Sequence, residues 1–145
     1  MFSGKKLAFL ALMAAAIPCY SQGMDYKLVK IEEKQKGFCR IYFDVTNNTN
    51  LNVTGGWADI TLREADGSII NKQQLLYKRI KKGETDAVES IGAHSCGDLK
   101  IIQLKMTAVD IDGDLYAGAR QGSERMISLA NGGKRTSSIK GVTLK

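Results

Sequence analysis

The sequence has little of the residues on which several kinds of function depend. Its 145 residues include one histidine, one tryptophan and one proline, and aromatic residues make up 7%. A single histidine, His94, leaves little material for a histidine metal cluster or a serine triad. We therefore expect no enzymatic activity, no cofactor and no dedicated metal centre, and we interpret His94 as a loop residue beside a disulfide.

Long apolar runs are also scarce, and the one at the N-terminus is short. Lys5 and Lys6 precede an apolar run over Leu7–Ile17, which small and polar residues then interrupt. This order of features predicts a signal peptide over residues 1–21. No later stretch approaches the roughly 18 consecutive apolar residues of a membrane helix, so we expect a secreted or periplasmic protein without a transmembrane segment.

Cysteine occurs three times, as Cys19, Cys39 and Cys96. Cys19 lies in the predicted leader and is either removed with it or acylated as a lipoprotein cysteine, a signal that the preceding Pro18 matches poorly. The other two cysteines are expected to form a disulfide in an oxidising compartment. In the chain-entropy model, the loop that they close corresponds to about 4 kcal/mol of stabilisation.

The charge is moderately basic. The full sequence carries a net charge of +6, and removal of a leader containing Lys5 and Lys6 lowers this by two. In an exported protein this excess argues against nucleic acid as a partner and favours solubility or attraction to anionic surfaces. Two basic bands, residues 78–82 and 134–145, are either solvated turns and tail or docking sites for such a surface. From the second band, Lys134 and Arg135 are candidate binding residues.

Alternating apolar and polar residues indicate about seven short strands. The central one is Phe38–Val45, in which Cys39 and every second residue after it face one side. Further strands are predicted over Asp25–Glu33, Val53–Arg63, Ser68–Ile80, Asp86–Ile91, Leu99–Val109 and Asp114–Ala119. Frequent turn residues and the lack of a helical period predict an all-β antiparallel sandwich of the immunoglobulin and fibronectin III type over residues 22–120, with the two cysteines linking its sheets. Residues 121–145 are predicted to form a basic tail or an exchanged edge strand.

Trp57 has two interpretations. Ala58 and the alternate residues after it form the apolar face of the third predicted strand, which would leave Trp57 as an exposed aromatic anchor for a partner. A bulge at Gly55-Gly56 can switch its face, however, and we therefore favour a tryptophan in the core.

Three aspartates have the spacing of calcium ligands. Asp110, Asp112 and Asp114 alternate as the first ligands of an EF-hand loop do. Leu115 and Gln121 stand where that loop needs glycine and glutamate. A plain Asp-Gly hairpin is therefore favoured over a weak surface calcium site.

Two Asn-X-Thr patterns, beginning at Asn47 and Asn52, match the N-glycosylation acceptor. Both begin in the polar stretch Thr46–Asn52. The short lysine-led leader indicates a bacterial source, so we interpret these residues as turn formers.

The segments FDVTNNTN, WADITLREADGSII and IKKGET resemble small exported bacterial domains of the fibronectin type III and FxLYD kind. In those domains a polar loop follows the second strand, a D-G hairpin joins the next two, and a G-E turn leads to the fifth. The resemblance covers Phe38–Val109. The size and the cysteine pair are also similar to the secreted interleukin receptor mimic family of pathogenic E. coli, which would imply a dimer formed by strand exchange and binding to host cytokines.

Together these features predict a secreted bacterial protein-binding module. Its first strand, rich in lysine and glutamate, is expected at a sheet edge. Either an exposed edge strand or the C-terminal tail would pair with the partner. The expected partners are another protein, with host proteins included, and a second copy in a homodimer formed by strand exchange. The alternative is a structural or accessory component of the cell envelope or of a surface assembly.

Overall fold

The fold is seen in a computed structural model, which describes residues 23–111, 114–117 and 131–145. Over these ranges the chain forms nine β-strands in two sheets, and no helix among them is long and apolar enough to cross a membrane. The strands are β1 (Met24–Gln35), β2 (Phe38–Asn47), β3 (Val53–Arg63), β4 (Ile69–Tyr77), β5 (Thr85–Gly92), β6 (Ile101–Ile111), β7 (Asp114–Ala117), β8 (Arg135–Ser137) and β9 (Thr143–Leu144).

The strands pack as a two-sheet sandwich. Sheet A has the order β5-β2-β1-β8, and sheet B has the order β4-β3-β6-β7 with β9 also paired to β6. Neighbours among β1 to β7 are antiparallel, whereas β8 and β9 pair in parallel with β1 and β6. The predicted sandwich of the immunoglobulin and fibronectin III type is confirmed. The boundaries of the predicted domain at residues 21 and 120 lie outside the described residues.

The two-residue period of the central strands builds the core. β2 lies between β1 and β5, as predicted, and β3 lies between β4 and β6. Every second residue of each strand is buried between the sheets, namely Cys39, Ile41, Phe43 and Val45 of β2 and Ala58, Ile60 and Leu62 of β3. Each large apolar side chain buried in this way contributes about 1.5–3 kcal/mol.

One disulfide crosses between the layers. Cys39 and Cys96 are bonded, with their Cα atoms 5.2 Å apart, which confirms the predicted pair. Cys39 is buried on β2, while Cys96 is only half-buried and lies in the loop that leads from β5 to β6. The bond therefore ties the start of the inner strand β2, at one end of sheet A, to the chain that enters sheet B.

Two tyrosines meet inside the sandwich. Gly56 of β3 lies opposite Tyr77 of β4. A Cβ on Gly56 would come within 2.7 Å of the Tyr77 ring, so the ring can lie over β3 only because this residue is glycine. The Tyr77 hydroxyl lies 3.3 Å from that of Tyr26 in sheet A. Burial away from water raises the pKa of Tyr26 well above its usual value and raises the pKa of Tyr77 to about 12.

A buried amide organises the loops at one end of the sandwich. The Asn47 side chain is fully buried, and its Nδ2 donates to the carbonyls of Leu51 and Ile80, both at 2.8 Å. Its Oδ1 accepts from the backbone N–H of Thr49 at 3.0 Å and from that residue's hydroxyl at 2.6 Å. Because both amide hydrogens are engaged inside the protein, Asn47 has no room for a glycan. It ends β2 and is not itself a turn residue, but its side chain holds the turn that follows.

Replacing Asn47 is expected to be costly. In Asn47→Asp the carbonyls of Leu51 and Ile80 lose their donors and face a carboxylate, so the free energy of unfolding should fall by about 3 kcal/mol. Urea denaturation measures the change. Asn48→Asp, at the exposed neighbouring position, is the matched control and should stay within about 0.5 kcal/mol of the parent. Equal effects at the two positions would contradict the role of Asn47.

High pH is expected to unfold the protein through the tyrosine pair. An unfolded tyrosine ionises near 10.0, and both folded pKa values lie above that. The folded state thus holds these protons more tightly than the unfolded state does. The stability contributed by the protonated tyrosine pair is therefore fully present below pH 10 and is lost as the pH rises through about 12. The urea midpoint of unfolding, measured across this pH range, should fall less steeply in Tyr26→Phe/Tyr77→Phe than in the parent. Tyr42→Phe, on the outer face of sheet A, should keep the parent's decline; an unchanged slope in the double variant would refute the assignment.

Candidate interaction surface

Side-chain hydrogen bonds close one side of the sandwich, where β4 and β5 run next to each other. The buried Ser90 hydroxyl donates to the carbonyl of Gln74 at 2.9 Å and accepts from Nε2 of Gln73 at 2.7 Å. Oε1 of Gln73 also lies 3.4 Å from Nε2 of His94, in the loop before Cys96. His94 thus sits in a polar seam beside the disulfide, where it was predicted.

The C-terminal segment closes the start of β1 on the opposite side. β8 pairs with residues 26–28 of β1, and the N–H of Tyr26 donates to the carbonyl of Lys134 at 2.9 Å. The last contact is made by Ser138, whose N–H and hydroxyl both donate to the carbonyl of Leu28. After Ser138 the chain turns away from sheet A, and its next strand, β9, belongs to sheet B.

Arg135 connects the two sheets on this same side. It follows Lys134 at the start of β8, and its guanidinium donates to the carbonyl of Leu104 on β6 at 2.6 Å and to Oδ1 of Asn131 at 3.1 Å. Charge-assisted hydrogen bonds of this kind are roughly twice as strong as neutral ones. The candidate binding residue Arg135 therefore has partners inside its own chain, whereas the side chain of Lys134 is exposed.

Beyond Leu28, β1 runs on with one side open. β2 pairs with its inner side up to Gln35, but in the described part of the chain no strand pairs with the outer side of Val29–Gln35. We call this stretch the β1 edge. Such an edge presents a row of backbone N–H and C=O groups to any added strand. The prediction that the first strand lies at a sheet edge holds for these seven residues.

The solvent face of the β1 edge carries alternating charges. Glu32 forms ion pairs with Lys30 at 3.2 Å and with Lys34 at 3.8 Å, and it accepts a hydrogen bond from the Tyr42 hydroxyl at 3.2 Å. Nζ of Lys30 also lies 5.5 Å above the centre of the Tyr42 ring. Charges on an edge discourage indiscriminate strand pairing, so an added strand must match this pattern.

The far end of the β1 edge is anchored beside the disulfide. Oε1 of Glu33 accepts from the N–H of Cys96 at 2.7 Å, and its Oε2 accepts from the N–H of Gly37 at 3.4 Å. These two bonds, the one from Cys96 first, lower the pKa of the Glu33 carboxyl. The carboxylate form thus holds the β1–β2 turn against the Cys96 loop.

The outer face of sheet B carries Trp57. This residue is half-buried and lies directly opposite Leu76, which is 64% exposed. The expectation of a core tryptophan is wrong. The pairing of β3 with β6 shifts between Val53 and Gly55 and again between Trp57 and Ala58, where the extra residue, Thr107, belongs to β6. Neither shift separates Trp57 from Ala58 along β3, so Ala58 lies inside and Trp57 outside.

An open groove of about 500 Å³ lies on that face. It has polar and charged walls from three neighbouring strands. The outward residues that line it, here called the sheet B groove, are Asp59, Thr61 and Arg63 of β3, Lys72 and Gln74 of β4, and Gln103 and Lys105 of β6.

The structure does not bring the three candidate binding residues together. Trp57 lies on β3 of sheet B, whereas Lys134 and Arg135 lie at the start of β8 beside sheet A. Asp110 and Asp114 pair with their neighbours in the β6–β7 hairpin. Their side chains and Asp112 lie outside what the structure describes, and within the described ranges no His, Cys, Asp and Glu group is suited to a metal.

The sequence reasoning missed the sheet B groove. Gln74, Gln103 and Lys105 flank the buried residues Leu75 and Leu104. Their outward direction was therefore readable from the strand alternation. What the sequence did not reveal is that β3 lies between β4 and β6, which places all three side chains on one surface.

Gly133 is predicted to control how the C-terminal segment docks on β1. A Cβ at this position would overlap the backbone carbonyl group of Met24, which cannot shift without moving β1. Gly133→Ala should therefore loosen β8, deprotect the Tyr26 amide in hydrogen exchange and cost about 1–3 kcal/mol. Gly97→Ala is the control, because its Cβ would meet only the Ser95 hydroxyl at 3.6 Å. An unchanged Tyr26 amide in Gly133→Ala would contradict this docking.

Comparison with known proteins gives one informative likeness. No protein-family model matches this chain. No curated protein matches its sequence. Among solved structures, IrmA from Escherichia coli is similar, with a TM-score of 0.52 and 9% sequence identity over 66% of this chain and 84% of that chain. Likeness at this identity concerns the fold alone, and the chain therefore has a fold related to that of IrmA.

Proposed function

We propose that this chain is an exported bacterial protein-binding module whose partner adds a strand to the β1 edge. The observation that carries the proposal is the early end of the β8 pairing at Leu28, while β1 continues to Gln35. In strand addition, backbone hydrogen bonds supply affinity and the alternating side chains supply selectivity. Seven residues suffice for a strand of ordinary length.

Selectivity would come from the charged row on the edge. Lys30, Glu32 and Lys34 share the solvent face, so a matching strand carries acidic, basic and acidic residues opposite them. Each well-matched cross-strand pair contributes about 0.2–1 kcal/mol, and like charges placed opposite each other are unfavourable. This row therefore selects both the partner and its register.

The edge is held ready for binding. The Cys39–Cys96 disulfide and the Glu33 hydrogen bonds fix one end, and the Ser138 hydrogen bonds to Leu28 fix the other. A preformed edge loses little conformational entropy when a partner docks. This supports a binding role, and we propose no catalytic activity.

Export and host partners rest on two supports. A disulfide is typical of oxidising compartments, which fits a secreted or periplasmic protein. The sequence resemblance to the secreted interleukin receptor mimic family is the reason to include host proteins, cytokines among them, in the search for partners.

A second copy of the chain is a further candidate partner. If two β1 edges pair in antiparallel fashion about Ile31, Lys30 of each copy lies opposite Glu32 of the other. Pairing about Glu32 would instead place Lys30 opposite Lys34 and the two glutamates together. The charges thus favour one register for a homodimer.

Photocrosslinking tests the proposal. A benzophenone amino acid at position 29, on the β1 edge and outside the charged row, should form a defined adduct in the culture medium, in the cell envelope or with host proteins. Lys30→Glu/Lys34→Glu, with the probe kept at position 29, should abolish that adduct because acidic residues then stand opposite the acidic residues of the matching strand. Lys78→Glu/Lys82→Glu changes the net charge equally in the exposed β4–β5 turn and should leave it intact.

Each outcome is decisive. An adduct between two copies identifies the homodimer, and one with a host protein identifies recognition of the host. An adduct confined to envelope components supports the structural or accessory alternative. Adducts that persist in the charge-reversed variant, or that vanish equally in the turn variant, would refute the β1 edge as the binding surface.

A further inference from the structure

We infer that the sheet B groove is a second, independent binding site, and that its ligand is an acidic saccharide. The groove lies on the sheet that does not contain the β1 edge. The inference therefore goes beyond the proposed function and does not depend on it. Its volume of about 500 Å³ falls within the range of roughly 300–1,000 Å³ typical of small-ligand sites.

Positive charge dominates the groove. Arg63, Lys72 and Lys105 contribute three cations from three adjacent strands, against the single carboxylate of Asp59. Lys72 and Lys105 are exposed, and neither forms an ion pair with another described residue. Two cations on opposite walls can thus approach negative groups spaced along one ligand.

Arg63 is held in place between them. Its Nη1 donates to the carbonyl of Gly67 at 2.8 Å, and its Nε donates to Oε1 of Gln103 at 3.3 Å. Guanidinium has five N–H donors, so these bonds orient the group and leave donors for a carboxylate or sulfate.

The remaining walls suit hydroxyl groups. Gln74, Gln103 and Thr61 can each donate and accept hydrogen bonds, as sugar hydroxyls also do. Nε2 of Gln74 donates to Oδ1 of Asp59 at 3.5 Å, so an amide donor and a carboxylate acceptor lie side by side in the groove. At one end of the same face, Trp57 offers an aromatic surface against which the C–H face of a sugar ring can pack.

A protein segment fits the groove less well. The core of a protein interface is formed by apolar anchors in pockets. The large exposed apolar residues of this face, Leu76 and Ile69, stand at its two ends, opposite Trp57 and Arg63, and do not line the groove. A peptide lying across a sheet face also finds no free backbone groups for strand addition. Charged groups combined with hydroxyls therefore point to an acidic saccharide.

Titration calorimetry with the full mature chain tests the inference. The probes are hexagalacturonate, a heparin hexasaccharide, maltohexaose as the neutral saccharide and hexaglutamate as the acidic peptide, at physiological ionic strength. We expect saturable binding of at least one acidic saccharide, with maltohexaose and hexaglutamate at least about tenfold weaker. The tighter of the two acidic saccharides distinguishes carboxylate from sulfate recognition.

Matched variants locate the site. Lys72→Gln/Lys105→Gln should weaken binding about tenfold or more, because each charge-assisted hydrogen bond is worth at least about a factor of ten. Lys78→Gln/Lys82→Gln removes the same charge from the β4–β5 turn and should have little effect. Equal losses of affinity in the two double variants would show that binding depends on net charge and not on this site, and would overturn the inference. Equal or tighter binding of hexaglutamate, or no binding of either acidic saccharide, would also overturn it.

Discussion

The path of residues 131–145 from sheet A to sheet B decides which sides of the sandwich are closed. After pairing with three residues of β1, this segment buries Leu144 and partly buries Ile139 and Val142 against the core. Full burial of a leucine is worth about 1.5–3 kcal/mol, whereas a further backbone hydrogen bond adds only about 0.5–1.5 kcal/mol net. Packing these apolar side chains is thus favoured over continuing along β1, and no strand of the described ranges covers the β1 edge.

The rest of the structure makes that edge a fixed surface. Asn47 holds the loops at one end of the sandwich, and the disulfide with Glu33 holds those at the other. The hydrogen bonds of the Ser90 hydroxyl join β4 to β5, and those of the Arg135 guanidinium join β8 to β6. With both ends and both sides secured, the β1 edge and the sheet B groove are two surfaces on opposite sheets that the scaffold presents without rearrangement.

Much of the fold could be predicted because the signals are local. The alternation over β2 and β3 determines which residues are buried, and with Cys19 assigned to a predicted leader the other two cysteines leave one intramolecular pairing. The face of Trp57 was misjudged because the bulge in β3 lies before Gly55, so it changes the phase of Trp57 and Ala58 together and leaves the two on opposite faces. The docking of Ile139, Val142 and Leu144 was not readable, because this segment shows no strand period and its two short strands, β8 and β9, pair in parallel with distant strands. The groove depends on strand order, which composition and spacing do not reveal.

The central claim is that β1 has an open outer side from Val29 to Gln35. Residue-resolved amide hydrogen exchange on the protein without a partner tests this most directly. The account predicts that alternate amides of this stretch, those directed away from β2, exchange rapidly while the Tyr26 amide, bonded to Lys134, is protected. Uniform protection along the whole of β1 would mean that its outer side is covered, and would contradict the account.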